Sequence, residues 1–113
     1  MAIKQNDIYK VYWTNLAKDD LDEIINYISQ DSINTAIKKL KQIQKSAYSL
    51  NNYPKKGRIV PELKQFNIIR YRELILNPWR IIYKIDKKDV YVLAVIDGRR
   101  NVEDILLNRF LNK

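Results

Sequence analysis

The sequence predicts an α+β fold: a small antiparallel β-sheet, made of an N-terminal strand plus a three-strand meander, packed with an N-terminal α-helical hairpin and a short C-terminal helix. Three observations predict it. Apolar residues recur at spacings of three and four from Ala17 to Leu50, with one break at Asp31-Ser32, which is the pattern of two amphipathic helices. From Ile68 to Ile96 the pattern changes to alternation and short apolar runs, as strands require. The breaks between those runs, Asn77-Pro78 and Asp86–Asp89, are too short for crossovers, so the strands they join run antiparallel. A chain of 113 residues supports one hydrophobic core, so residues 1–113 are expected to form a single domain.

Each element has its own signal. Ile8–Thr14 is β-branched and aromatic and reads as the opening strand. Thr14 or Asn15 supplies a side-chain oxygen to cap the helix that follows, and Asp19 and Asp20 lie toward its positive end. Ala17, Leu21, Ile24, Ile25 and Ile28 form one apolar stripe, leaving Asp19, Asp22, Glu23 and Asn26 for solvent. Asp31-Ser32 starts a second helix, whose seam is Ile33, Ala36, Ile37, Leu40, Ile43, Ala47 and Leu50. Pro54 lacks an amide donor and disfavours helix before it, so this helix ends near Asn51–Tyr53. Lys55–Arg58 is a basic loop whose glycine permits an unusual backbone angle or the close approach of a ligand. Ile68–Ile75, Trp79–Ile85 and Val90–Ile96 are the meander, and Val90–Ile96, apolar on both faces, belongs at the centre of a covered sheet. Val102–Leu111 reads as the last helix, with Glu103 and Asp104 at its start and Arg109 near its end.

Composition removes whole classes of chemistry. The chain has no cysteine and no histidine, so disulfides, thiolate metal sites, imidazole ligands and the commonest general base are all absent. No metal or cofactor is expected. The opening MAIKQNDIYKVYW has no long apolar run, so neither a signal peptide nor a membrane span is expected, and the cytoplasm is the default location. Charge is uneven: residues 1–37 carry three basic and six acidic side chains, and residues 38–113 carry 18 basic and seven acidic ones. A basic half of this kind suits an acidic or phosphate-rich partner.

The candidate working surface draws on Lys55, Lys56, Arg58, Arg70, Arg72, Arg80, Arg99 and Arg100, which the meander would bring together from strands and flanking loops. Guanidinium groups present paired donors in a plane and stay charged, which suits phosphate. Tyr71, Trp79, Tyr83 and Tyr91 sit among them; such rings stack on unpaired bases or serve as core, and core is the commoner role. Glu73, the one acidic residue of the central strand pair, either takes a proton from a ribose hydroxyl or pairs with Arg72 or Arg80, and pairing is the commoner outcome. Arg80 and Arg100 are expected at exposed ends of the sheet.

Together these segments resemble the RelE/ParE superfamily, the toxins of type II toxin–antitoxin (plasmid stabilisation) systems. The matching pieces are Val11–Thr14 with Ala17, Ile24–Ile28 leading into Asp31-Ser32, Pro54-x-x-Gly57-Arg58-x-Val60-Pro61-Glu62, Arg72–Leu74, Asn77–Ile81 with Tyr83, and Val95-x-x-Gly98-Arg99-Arg100. Their order and spacing span nearly the whole chain. The resemblance implies the RelE/ParE-like version of the fold above, growth inhibition, and neutralisation by a cognate antitoxin that masks the basic surface. It also implies one of two targets: DNA gyrase for ParE-like members, or mRNA in the ribosomal A site for RelE-like endoribonucleases. In the second case Arg80 and Arg100 (or Arg99) match arginines at the scissile phosphate, and Glu73 falls where some ribonucleases have a carboxylate and others a lysine. Lys55, Lys56, Arg58, Arg70, Arg72, Arg99 and Tyr83 would then form the surrounding target-binding surface. Asp97 stands where many relatives have a late histidine, and Leu106 stands where RelE-like members have a C-terminal tyrosine. Both departures favour the gyrase inhibitor over the ribosome-dependent nuclease.

Overall fold

The computed structural model describes residues 8–111. In chain order the elements are β1 (Lys10–Trp13), α1 (Asn15–Ser29), α2 (Ile33–Tyr48), β2 (Arg58–Ile59), α3 (Pro61–Lys64), β3 (Tyr71–Leu76), β4 (Trp79–Asp86), β5 (Asp89–Asp97) and α4 (Val102–Phe110). The five strands form one sheet in the order β1-β5-β4-β3-β2. The expected meander is there: β3, β4 and β5 are antiparallel neighbours.

Two features depart from the sequence reading. β1 joins β5 in parallel, with Val11 opposite Val90 and Tyr12 opposite Tyr91, so the sheet is mixed. The helical hairpin and the whole meander separate β1 from β5 in the chain, and a connection that long frees the strand from the antiparallel pairing a short turn imposes. The second departure lies after Gly57. Arg58 and Ile59 leave the basic loop to pair with Glu73 and Arg72 as a fifth strand. Pro61 then starts a one-turn helix, since a proline at the first helical position gives up no hydrogen bond.

The hairpin forms where its caps predict. Thr14 Oγ1 accepts from the Ala17 amide, and Ser32 Oγ accepts from Thr35, each satisfying a free helix-start donor. The hairpin covers one face of the sheet, packing Ala17, Leu21, Ile43, Ala47 and Leu50 on Leu74, Trp79, Ile81, Tyr83, Val90, Val92 and Val95. α3 and α4 cover the other face, where Val60, Leu63, Val102 and Leu106 close over Tyr71, Ile82, Ala94 and Ile96. β5 lies inside the sheet, second from the β1 edge and next to the central β4, and is covered on both faces; each large aliphatic side chain so buried contributes about 1.5–3 kcal/mol. Two residues of the predicted α2 seam, Ile33 and Ile37, lie at its outer margin and stay exposed.

Beyond Val92 the β1 side of β5 has no strand, because β1 has turned into α1. Asp20 on α1 takes over: its Oδ2 accepts the Val95 amide at 2.9 Å, and its carboxylate takes both terminal nitrogens of Arg109 on α4, each at 2.7 Å. One buried aspartate thus ties α1, β5 and α4 together. Among the described residues no helix is long and apolar enough to cross a membrane.

Candidate functional site

The far ends of the meander and the loops beside them form an open groove lined by Arg58, Ile75, Asn77, Pro78, Arg80, Gly98 and Arg99. Each arginine arrives for a structural reason. Arg58 is carried by β2 against Glu73, Arg80 is the second residue of β4, and Arg99 follows the close turn in which the Gly98 amide donates to Pro78 O at 2.7 Å. A side chain at Gly98 would press on Arg80 Cδ and Pro78 O, at 3.1 and 3.2 Å, so glycine lets this loop close over Arg80.

All three arginines are matched by carboxylates of the protein itself. Arg80 forks onto Glu62, with Nη1 and Nη2 at 2.8 and 2.6 Å from its oxygens, while its Nε donates to Glu73 Oε1 at 2.7 Å. Glu73 Oε2 takes Arg58 Nε at 2.6 Å. Arg99 reaches Asp97 through Nε at 2.9 Å and Nη2 at 2.6 Å. The Glu73 side chain is 0 % exposed and that of Arg80 only 11 %. The expectation of Arg80 at an exposed sheet end is therefore corrected. Its Cα sits near the strand end, but Glu62 on α3 folds over it from one side and Glu73 holds it from the other.

The electrostatics follow this pairing. The Arg80 hydrogen bond holds the Glu62 carboxyl below the usual range in spite of partial burial, and Glu62, then Glu73, hold Arg80 firmly charged. The Arg99 guanidinium, then the Arg99 amide, draw Asp97 down to about 2. Three cations face three anions, so the groove as built is close to neutral. Glu73 is sealed from solvent and clamped by two guanidinium groups, so it is not presented to a hydroxyl in the open groove.

Tyr83 is also removed from the surface. It is fully buried; its hydroxyl donates to Pro54 O at 2.7 Å and accepts the Gly57 amide at 3.0 Å, and burial pushes its pKa up. Arg72 Nη1 donates to Gly57 O at 2.8 Å and Lys55 O at 3.4 Å, which pins the same loop from the other side. A Cβ on Gly57 would stand 2.5 Å from Glu73 O and 2.6 Å from the Tyr83 hydroxyl. Gly57 therefore admits a close approach, as the sequence suggests, but by the protein's own strand and ring.

The remaining candidates do not converge. Lys55 and Lys56 are exposed beside Tyr9, Tyr53 and Pro54, with Lys56 Nζ on Ser49 Oγ at 3.0 Å. Arg70 lies over the Tyr71 ring, 5.0 Å from its centre. Arg100 is exposed at the rim of an adjoining cleft, which shares Arg99 with the groove and whose walls include Ile24, Tyr27, Ile28 and Trp79. Among the described residues no hydrogen bond or ion pair holds the Arg100 side chain. Leu106 is a fully buried core residue on α4. Among the described residues no cluster of three or more His, Cys, Asp or Glu is placed to hold a metal ion.

Sequence reasoning missed Glu62 as the main partner of Arg80 and Asp20 as the partner of Arg109. The Pro61-Glu62 start of α3 was the available signal for the first; the second depends on which faces of α1 and α4 meet, and no local pattern encodes that.

Comparison with known proteins bears on this arrangement. Residues 11–102 match the family model described as the ParE toxin of the type II toxin–antitoxin system parDE. The chain is 26% identical over 98 residues to Toxin ParE3 of Caulobacter vibrioides, an alignment covering 82% of this chain and 90% of that protein. Among solved structures it resembles a chain of the chromosomal ParDE toxin–antitoxin system from P. aeruginosa, with a TM-score of 0.66 at 21% identity over 81% of this chain and 98% of that one. It also resembles a chain of the toxin–antitoxin complex RelBE2 from Mycobacterium tuberculosis, with a TM-score of 0.59 at 20% identity over 82% and 94% of the two chains.

Proposed function

This chain belongs to the ParE toxin family of type II toxin–antitoxin systems, within the RelE/ParE superfamily, and from that premise we propose that it arrests growth by binding DNA gyrase and not by cutting RNA. One observation carries the choice: the groove that would have to hold a scissile phosphate has its arginines already neutralised by Glu62, Glu73 and Asp97. A ribonuclease needs unspent positive charge where phosphate charge develops and a base within reach of the 2′-hydroxyl. Here Arg80 has both faces of its guanidinium committed, and the buried Glu73 is a brace. The position that RelE-like members give to a tyrosine holds Leu106, which fills the core.

In this reading the groove is scaffold, and the exposed cations around it meet partners. Lys55, Lys56, Arg70 and Arg100 are the contacts we assign to target or antitoxin, because they keep their charge outward. A cognate antitoxin would cover part of this surface, in keeping with the toxin–antitoxin complexes to which the fold is similar. The protein acts in the cytoplasm, where gyrase is, without a cofactor.

The test is induced expression without antitoxin, followed by pulse labelling of DNA and protein synthesis. The reading expects DNA synthesis to stop first, with filamentous cells. An early stop in translation with cut messages would overturn it and return Arg80, Arg100 and Glu73 to catalytic candidacy.

A further inference from the structure

The sheet has two edges, and the chain protects them unequally. The β2 edge is two residues long, lies beside Lys55, Lys56 and Arg58, and runs into Pro61, all features that discourage a further strand. The β1 edge has no proline. Lys10 and Thr14 turn their amides inward to Lys88 O and Val92 O, so the alternation of a strand turns the backbone of Val11 and Trp13 outward. Tyr9 donates to Asn51 O, which closes that side of the edge two residues before Val11. Among the described residues no strand pairs with the outward side of Val11–Trp13.

Apolar side chains stay exposed before, within and just after this edge strand. Ile8, Tyr12 and Leu16, spaced four apart, are 68, 43 and 55 % exposed. Tyr12 stacks on Tyr91 across the sheet, with ring centres 5.5 Å apart, and Tyr91 carries Lys84 over its other face, so the outer face of Tyr12 ends the row. The groove beside β1 has an apolar floor that includes Val11, Trp13, Leu21 and Leu40, and its rim carries both Lys18 and Asp22, one turn apart on α1. Local charge of both signs, on a chain with a net charge of +8, favours a partner with the same balance over a strongly acidic or basic one.

We propose that this edge is a self-association surface on which two copies pair β1 antiparallel about a two-fold axis through Tyr12. In that register Val11 of one copy faces Trp13 of the second copy, and the outward amides and carbonyls of both are satisfied in pairs. Tyr12 meets Tyr12 of the second copy as a close pair, extending the aromatic row, and Ile8 moves toward the Leu16 end of the other strand. The proposal stands apart from the choice of target, since β1 lies on the opposite edge of the sheet from β2 and its groove.

Sedimentation velocity of the full-length chain over a concentration series tests it, at moderate salt so that the net charge does not mask association. The expected result is a concentration-dependent dimer, weakened at least tenfold by Tyr12→Lys and by Val11→Pro, which removes an outward amide and leaves the bonds from Lys10 and Thr14 in place. Circular dichroism identifies any variant that fails to fold. Because the chain has no cysteine, Tyr12→Cys supplies an independent readout. Residues in such a close pair have Cα atoms about 4.5 Å apart, within disulfide range, so mild oxidation yields a covalent dimer far faster than for Tyr27→Cys, an exposed control on α1. A wild-type chain that stays monomeric throughout, a dimer indifferent to both edge variants, or equal cross-linking at the two cysteine positions would each overturn the proposal.

Discussion

Replacing Glu73 by glutamine separates a structural brace from a catalytic base more cleanly than any activity measurement. The wild-type carboxylate is fully buried and compensates two guanidinium groups, Arg58 at 2.6 Å and Arg80 at 2.7 Å. Removing one partner of a buried ion pair costs about 3–5 kcal/mol, because the remaining charge stays buried without compensation. Glu62 keeps its fork on Arg80, and Arg58 is largely exposed and recovers water, so the lower end, about 3 kcal/mol, applies. With an unfolding entropy of about 2.1 cal/mol/K per residue, a chain of this length loses about 4 °C per kcal/mol, so the unfolding midpoint of Glu73→Gln should fall by about 12 °C. The assay is thermal unfolding followed by circular dichroism, with a urea series to confirm the free-energy change. A Glu73→Gln protein within about 0.5 kcal/mol of wild type would refute the reasoning, because a change that small is the mark of an uncoupled surface position.

Two further expectations rest on neighbouring contacts. Tyr83→Phe strands the Gly57 amide and Pro54 carbonyl in a buried setting, and should cost about 1–3 kcal/mol, with faster hydrogen exchange in the 54–57 loop; exchange equal to wild type would show that the hydroxyl does not anchor it. Acid should also weaken the fold. Glu62 and Asp97 titrate below the ordinary carboxylate range when folded, so their contribution is complete above about pH 4 and is lost as pH falls, for Asp97 toward about 2. The unfolding midpoint should therefore drop across that interval, less steeply in Asp97→Asn and at high salt because Asp97 is near solvent; identical acid slopes in variant and wild type would contradict the assignment.

How much of this was legible beforehand varies with how local each signal is. The hairpin and the meander were readable because caps and turns such as Thr14, Ser32 and Asn77-Pro78 act on their own neighbours, and because buried faces repeat with the period of the element. The parallel placement of β1 was not, since nothing within Lys10–Trp13 distinguishes a parallel neighbour from an antiparallel one. Of the basic residues singled out as one surface, Arg58, Arg80 and Arg99 share one groove, while Lys55, Lys56, Arg70, Arg72 and Arg100 lie elsewhere. The pairing of Glu73 with Arg80 was legible as the commoner outcome; the parts played by Glu62 and Asp97 were not. Arg80 and Glu62 are 18 positions apart and meet only because a two-residue strand and a one-turn helix fold back over β4. Tyr83, for which core was the commoner reading, is buried beneath the 54–57 loop, but its two hydrogen bonds to that loop were not legible.

The central claim is that the arginine groove is scaffold and that the toxin works by engaging gyrase through the charges left outside it. Its most direct test is a supercoiling assay with purified gyrase and relaxed plasmid, titrated with the purified toxin, beside a translating extract monitored for message cleavage. The account predicts dose-dependent loss of gyrase activity, diminished by Arg100→Ala, and intact messages at the same toxin concentrations. Unimpaired supercoiling together with cleaved messages would contradict it.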